Sequence, residues 1–286
     1  MLTTIKTTIK KILIGKPSKA NYKFILKDWK RLFDLQLCQQ ILETKRFYQH
    51  LNTIQLDNPR GRRILVLAPH IDDEIFGTGG TLVKAIEKGA QIDIIYVANI
   101  FNDSEQTKRV RNEALSVCQK LGVVAHFLNC QIRNIPLNNR SVNNQLVSLV
   151  ESIKPDTLFL PFLLDDHDDH RRVNHLLWKN LNTPKKNIEI WSYQIYSTVI
   201  PNVVVDITEY IQIKKELMDT YREVAGNRDW THYIMGLNSI NCRYIPGKKK
   251  TYGEAFFVVP LTEYFQLCEQ YFANPSEIIY YRYDNG

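Results

Sequence analysis

"LVLAPHIDDEIFGTGGTL", Leu65–Leu82, passes from an apolar run into a histidine and three acids, then through glycines into a second apolar run. The run "ILVLA" has the composition of a buried strand, and "GTLVKAIEKG" reads as a helix closed by Gly89. His70, Asp72, Asp73 and Glu74 therefore sit at the end of a core strand. They form either a polar turn, in which Asp caps the next helix, or a site. Gly77, Gly79 and Gly80 do not give the G-x-G-x-x-G spacing of a dinucleotide loop, and acids precede them where a pyrophosphate would have to sit. Close helix packing, or close approach of a substrate to the backbone, explains them better.

The residues downstream supply the context. "QIDIIYVA", "VVAHFLN" and "DTLFLP" are further strand candidates, and "IEIWSYQIY" and "NVVVDI" follow later. Between them lie "SEQTKRVRNEALSVCQKLG", with Ser104 as N-cap and Gly122 just past its end, and "SVNNQLVSLVESIK". "EYIQIKKELMDTYREV" is a late helix, and beyond residue 225 the chain reads as irregular apart from one strand in "GKKKTYGEAFFV". Short strands alternating with helices predict an α/β, Rossmann-like fold, a mainly parallel sheet with helices on both faces. A helical N-terminal extension over residues 1–60 precedes a main domain over 61–286.

Composition narrows the classes. The 286 residues are 44% hydrophobic and 23% charged, which suits a globular chain. The formal net charge of +7 favours anionic partners without choosing among them. Cys38, Cys118, Cys130, Cys242 and Cys268 are scattered and odd in number, so neither a disulfide framework nor a cysteine metal knuckle is expected. A reducing, cytoplasmic setting follows. Ile5, Ile9, Ile12 and Leu13 recur at helical spacing among Lys6, Lys10 and Lys11. That basic segment suits docking on the body of the protein or, alternatively, peripheral contact with the inner membrane surface. No nucleic-acid motif is present, and the oligomeric state is left open.

A second anomaly decides between turn and site. "DDHDDHRRV" begins at Asp165, just after the fourth strand candidate, and brings His167, Asp169 and His170 to another strand-to-helix junction. Ligands in open parallel sheets bind beyond the carboxyl ends of the strands. If the first and fourth strands lie side by side, the two clusters face one crevice. Imidazoles and carboxylates in such numbers suit a catalytic metal with an adjacent general base, whereas so many acids would repel a bound phosphate.

These stretches resemble a known family. "APHIDDEIFGTGGTL" is similar to the A-H-P-D-D-E signature of the PIG-L/LmbE-like N-acetylglucosaminyl deacetylases, and "DDHDDHRRV" to their D-x-H-x-D-H motif. The resemblance runs from about Ile64 to Phe257, with weaker support from "RNEALSVCQKLG", "VDITEYIQIKKELMDTY" and "YGEAFFV". It implies a zinc site, with iron(II) as the alternative, held by His70, Asp73 and His170. It further implies Asp72 as general base, His167 as stabiliser of the oxyanion or donor to the leaving amine, and Asp169 as the partner that orients a histidine. The implied reaction is attack of metal-activated water on the acetamide of an N-acetylated amino sugar, lipid- or phosphate-linked acceptors included. A catalytically inactive sugar-binding module of the same fold is the rival reading; retention of Asp72 counts against it. Ile71 and Asp168 stand where the family commonly has proline, at positions that supply no implied ligand.

Overall fold

The computed structural model describes residues 53–165, 167–181, 188–196, 199, 201–247 and 251–272. The basic N-terminal segment, the helical stretch expected before residue 51, and Lys248–Lys250 lie outside the described residues. The described residues form eight strands: β1 (Ile54–Leu56), β2 (Arg63–Ala68), β3 (Gln91–Ile100), β4 (Val124–Gln131), β5 (Thr157–Pro161), β6 (Glu189–Tyr193), β7 (Val203–Asp206) and β8 (Gly253–Pro260). The described helices are α1 (Asp73–Glu87), α2 (Ser104–Leu121), α3 (Arg140–Ile153), α4 (Asp168–Asn180), α5 (Ile211–Met218), α6 (Arg222–Ala225), α7 (Trp230–Asn241) and α8 (Leu261–Phe272).

The apolar run of β2 makes it the centre of the molecule. Ile64 to Ala68 are fully buried, as a strand covered on both faces must be. Alternate residues serve opposite faces. Ile64, Val66 and Ala68 pack with Leu82 and Val83 of α1 and Val110, Ala114 and Val117 of α2. Leu65 and Leu67 pack with Leu146 and Val150 of α3 and with Val173, Leu176 and Leu177 of α4. The strand order is β1-β7-β8-β6-β5-β2-β3-β4. All pairings are parallel except those of β8, which runs antiparallel to both β6 and β7. The expected adjacency of the first and fourth core strands is present: Ile64–Val66 pair with Thr157–Phe159.

Several local expectations differ. Ile54–Leu56, inside the segment expected to be helical, pair with Val203–Val205 as an edge strand. Asp103, not Ser104, caps α2: its backbone is extended and its carboxylate accepts from the Glu105 amide at 2.9 Å, so Ser104 is already helical. Gly122 closes that helix at φ 68°, in the left-handed region glycine tolerates. The described residues after 225 are largely regular, with α7 capped by the Asp229 carboxylate on the His232 amide at 2.8 Å. The cysteines among the described residues are free, and no helix among those residues is long and apolar enough to cross a membrane.

The glycines of α1 allow it to lie against the sheet. A Cβ on Gly77 would come within 2.3 Å of the Tyr193 ring, and one on Gly80 within 2.7 Å of Ile207. A buried ion pair then fastens the helix. Lys214 Nζ lies 2.6 Å from Glu254 Oε1 and donates to the Phe76 carbonyl at 2.9 Å. The Gly80 and Thr81 amides donate to the two Glu254 oxygens at 2.9 and 2.7 Å. Phe76, Gly80 and Thr81 belong to neighbouring turns of α1, so the pair is fastened to the middle of that helix. Burial pulls the Lys214 pKa down, opposed by Glu254.

Removing one partner of such a pair strands a charge in the interior, at a cost of about 3–5 kcal/mol. Lys214→Met is expected to lower the urea midpoint accordingly. Adding Glu254→Gln, which keeps an acceptor for the helix amides and removes the stranded charge, is expected to recover part of the loss.

Candidate active site

Pairing of β2 with β5 brings their carboxyl ends together, and both polar clusters occupy that edge. His70 follows β2, while Asp72 and Asp73 open α1; His167 caps α4, its Nδ1 accepting from the Asp169 amide at 3.2 Å. Asp73, Asp169 and His170 thus lie on the first turns of two helices, where the helix dipole favours the carboxylates.

Asp73 is the meeting point. Its Oδ2 accepts from the His70 amide at 2.8 Å and lies 3.2 Å from both His70 Nδ1 and His170 Nε2. The far nitrogens are held from outside: His70 Nε2 is 2.7 Å from Asp169 Oδ2, and His170 Nδ1 is 3.2 Å from Asp165 Oδ1. Asp169 is fixed in turn by the Arg133 amide at 2.9 Å, and Asp165 accepts from the His167 and Tyr196 amides at 3.0 and 3.3 Å. Every residue singled out in the two motifs, His70, Asp72, Asp73, His167, Asp169 and His170, is therefore in one cluster. Asp165, which sequence reasoning left without a role, anchors it. The signal was its own motif, in which the first acid precedes His167 by two residues.

The electrostatics show what the cluster prefers to hold. Burial works against charge on His70, yet Asp169 and Asp73 outweigh it and keep its pKa up at about 9. His170 is likewise held well above its ordinary value, against burial, by Asp73 and Asp165. Burial alone would raise the Asp73 pKa, but His170 and His70 drive it far below the carboxylate range. Asp73 Oδ1 and both ring nitrogens of His170 are buried without an aligned hydrogen-bond partner among the described residues. An acid-rich pocket with orphaned imidazole and carboxylate atoms fits a divalent cation.

Two donor sets are available. The nitrogens of His70, His167 and His170 all lie within 4.8 Å of one another, but His167 Nδ1 is already engaged by the Asp169 amide. The set of His70, Asp73 and His170 uses the orphaned atoms instead, and each histidine keeps its outer carboxylate, as metal-bound histidines ordinarily do.

Beside this cluster opens a cavity of about 260 Å³ lined by His70, Asp72, Asn99, His167, Tyr196 and Trp230 among others. Asp72 is 7% exposed and has φ 119° with ψ −30°, a conformation that costs a non-glycine residue on the order of 1–3 kcal/mol. Burial and the Asp73 carboxylate push its pKa well above the carboxylate range, against the opposing charge of His70. His167 stacks on Tyr196 with ring centroids 5.5 Å apart, and burial together with the charges of His70 and His170 lowers its pKa to about 3. His126 instead pairs with Asp93 at 2.7 Å, and His175 stacks on Phe272 at 4.3 Å. His232 is exposed, and Trp230 rather than His232 lines the cavity.

Fold and cluster together define an α/β domain whose mainly parallel sheet carries an acid-and-histidine cluster at its carboxyl edge. Residues 65–181, a stretch that contains both motifs, match the model of the PIG-L family, described as GlcNAc-PI de-N-acetylase. A diacetylchitobiose deacetylase from Thermococcus kodakarensis is 23% identical over 227 residues, covering 70% of this chain and 84% of that protein. Among solved structures, the N,N'-diacetylchitobiose deacetylase of Pyrococcus horikoshii matches with TM-score 0.61 at 21% identity, over 80% of this chain and 91% of that one. GalB, the 4-carboxy-2-hydroxymuconate hydratase of Pseudomonas putida KT2440, matches with TM-score 0.56 at 16% identity, over 68% and 95%. A deacetylase and a hydratase on one fold place the burden of assigning function on the site.

Asp165 has no access to the cavity yet holds His170 and the His167 turn. For a divalent cation titrated into this cluster, zinc as the probe, Asp165→Asn is expected to weaken binding about 10–100-fold, measured by isothermal titration of chelator-treated protein.

Proposed function

We propose that the protein is a metal-dependent N-deacetylase acting on an N-acetylated amino sugar. One observation carries the reading: Asp73 Oδ2 sits 3.2 Å from both His70 and His170, next to an uncapped, cavity-lining Asp72. His70, Asp73 and His170 would hold a divalent ion, zinc or iron(II), with Asp169 and Asp165 orienting the two imidazoles. When bound, the ion polarises the acetamide carbonyl and acidifies a water molecule.

The chain's own groups complete the chemistry. Asp72, its basicity raised by burial and by Asp73, accepts the proton of the attacking water. His167 is neutral, and because its Nδ1 accepts from the Asp169 amide, the hydrogen is on Nε2. Its Nε2–H donates a hydrogen bond to the oxyanion of the tetrahedral intermediate and keeps its proton. The proton taken by Asp72 passes to the nitrogen as the C–N bond breaks, and the acetic acid formed loses its remaining proton to solvent as acetate and the free amino sugar leave. Trp230 and Tyr196 on the cavity wall suit the apolar face of a pyranose ring. The similarity of "AHPDDE"-type and D-x-H-x-D-H motifs to those of sugar deacetylases, and the relatives reported above, support the same reading.

Acetate release from N-acetylglucosamine and N,N'-diacetylchitobiose by the zinc-loaded protein tests it. Asp72→Asn is expected to lower kcat by about 10²–10⁴-fold while retaining one equivalent of metal by elemental analysis. A wild-type protein that takes up no metal and cleaves neither acetamide would overturn the reading. In the same assay, chelation followed by zinc or iron(II) add-back is expected to abolish and restore activity.

A further inference from the structure

Glu74 is the one acid of the first motif that the proposed reaction does not use, and it is fully buried. Its Oε2 accepts from the Asp72 amide at 3.1 Å. Its Oε1 accepts from the Tyr96 hydroxyl at 2.8 Å and from the Tyr221 hydroxyl. Tyr96 comes from β3 and is stacked on Phe127, while Tyr221 stands just before α6 and packs edge-on against Phe76. Three separated parts of the chain thus converge on one carboxylate, and that carboxylate grips the residue with the positive φ.

The arrangement resembles the back-reaching half of a capping box, with the acid at the second helical position and not the third. In the complete motif the N-cap side chain reaches forward to a helix amide while an acid in the first turn reaches back to the N-cap amide. Here Glu74 reaches back, but Asp72, the N-cap of α1, makes no side-chain capping bond. The backbone is secured without the Asp72 carboxylate, which lines the cavity instead.

We infer that Glu74, clamped by Tyr96 and Tyr221, is the positioning residue for Asp72: it holds the Asp72 main chain at positive φ so that the carboxylate stays in the cavity. Tyr221 also leads into the segment bearing Val224 and Trp230, both on the cavity wall, so the same carboxylate ties the base to the wall. The effect on rate rests on the deacetylase reading. The effect on Asp72 geometry does not.

The test uses the full-length, zinc-loaded protein with N-acetylglucosamine and N,N'-diacetylchitobiose. Misplacing a reacting group by an ångström costs about 10²-fold. Glu74→Ala is therefore expected to lower kcat by roughly that factor, with KM and zinc content unchanged. Glu74→Gln, which keeps the volume and one acceptor, is expected to recover most of the loss, and it remains informative should the alanine variant fold poorly. In an Asp72→Asn background Glu74→Ala is expected to cause no further loss. A crystal structure of Glu74→Ala is expected to show Asp72 at negative φ. Full kcat in Glu74→Ala with φ unchanged overturns the inference, as does an equal loss in the Asp72→Asn background accompanied by loss of zinc. If wild type releases no acetate, the deacetylase reading fails, and the Asp72 φ in the Glu74→Ala crystal still decides the positioning role.

Discussion

The parallel ladder between Ile64–Val66 and Thr157–Phe159 is the contact on which the site depends. It joins two strands almost a hundred residues apart in sequence and fixes their carboxyl ends side by side. At that edge one strand leads outward to β3 and β4 and the other to β6, so the connecting segments part and leave a crevice. The two acid-and-histidine clusters have nowhere else to go. Because β2 and β5 are buried on both faces, a register slip would turn core side chains toward the wrong layer, and the relative position of the clusters inherits that rigidity.

Within the crevice, carboxylates are layered. Asp73 lies at the centre, Asp165 and Asp169 stand behind the imidazoles, and Glu74 lies behind Asp72. Asp165 and Asp169 accept from backbone amides and Glu74 from tyrosine hydroxyls, so the imidazoles of His70 and His170 are the groups that balance Asp73, Asp165 and Asp169. That balance explains why two buried histidines bind protons more tightly than in water, and why His167, facing the same charged pair of rings, does the opposite. Three histidines within one cluster are thereby given different work by their surroundings.

The central fold was legible because its signals are local or periodic. Apolar runs of five to six residues between helical patterns gave the core strands, and the two motifs placed every member of the cluster. What failed to show was long-range. The antiparallel strand β8 depends on contacts with β6 and β7, and nothing in "GEAFFVVP" states its direction. Ile54–Leu56 become a strand only because Val203–Val205 are there to pair with. The helix Trp230–Asn241 is rich in aromatic and β-branched residues, weak helix formers, and is carried by packing against β8 and α5. Asp165 and Glu74 stand inside the two motifs, yet nothing in the motifs states what they hold, since part of their role lies in the Tyr196 amide and the Tyr96 and Tyr221 hydroxyls brought by distant segments.

The Lys214–Glu254 pair has a further consequence. Exposed pairs such as Arg63–Asp156, with both side chains more than a third accessible, lose their attraction as mobile ions gather around them. Counter-ions have no access to Lys214 and Glu254, whose side chains are fully buried. The attachment of the helix that carries Asp72 and Asp73 is therefore insulated from ionic strength, and the site keeps its geometry in media that strip the surface of its electrostatic contacts.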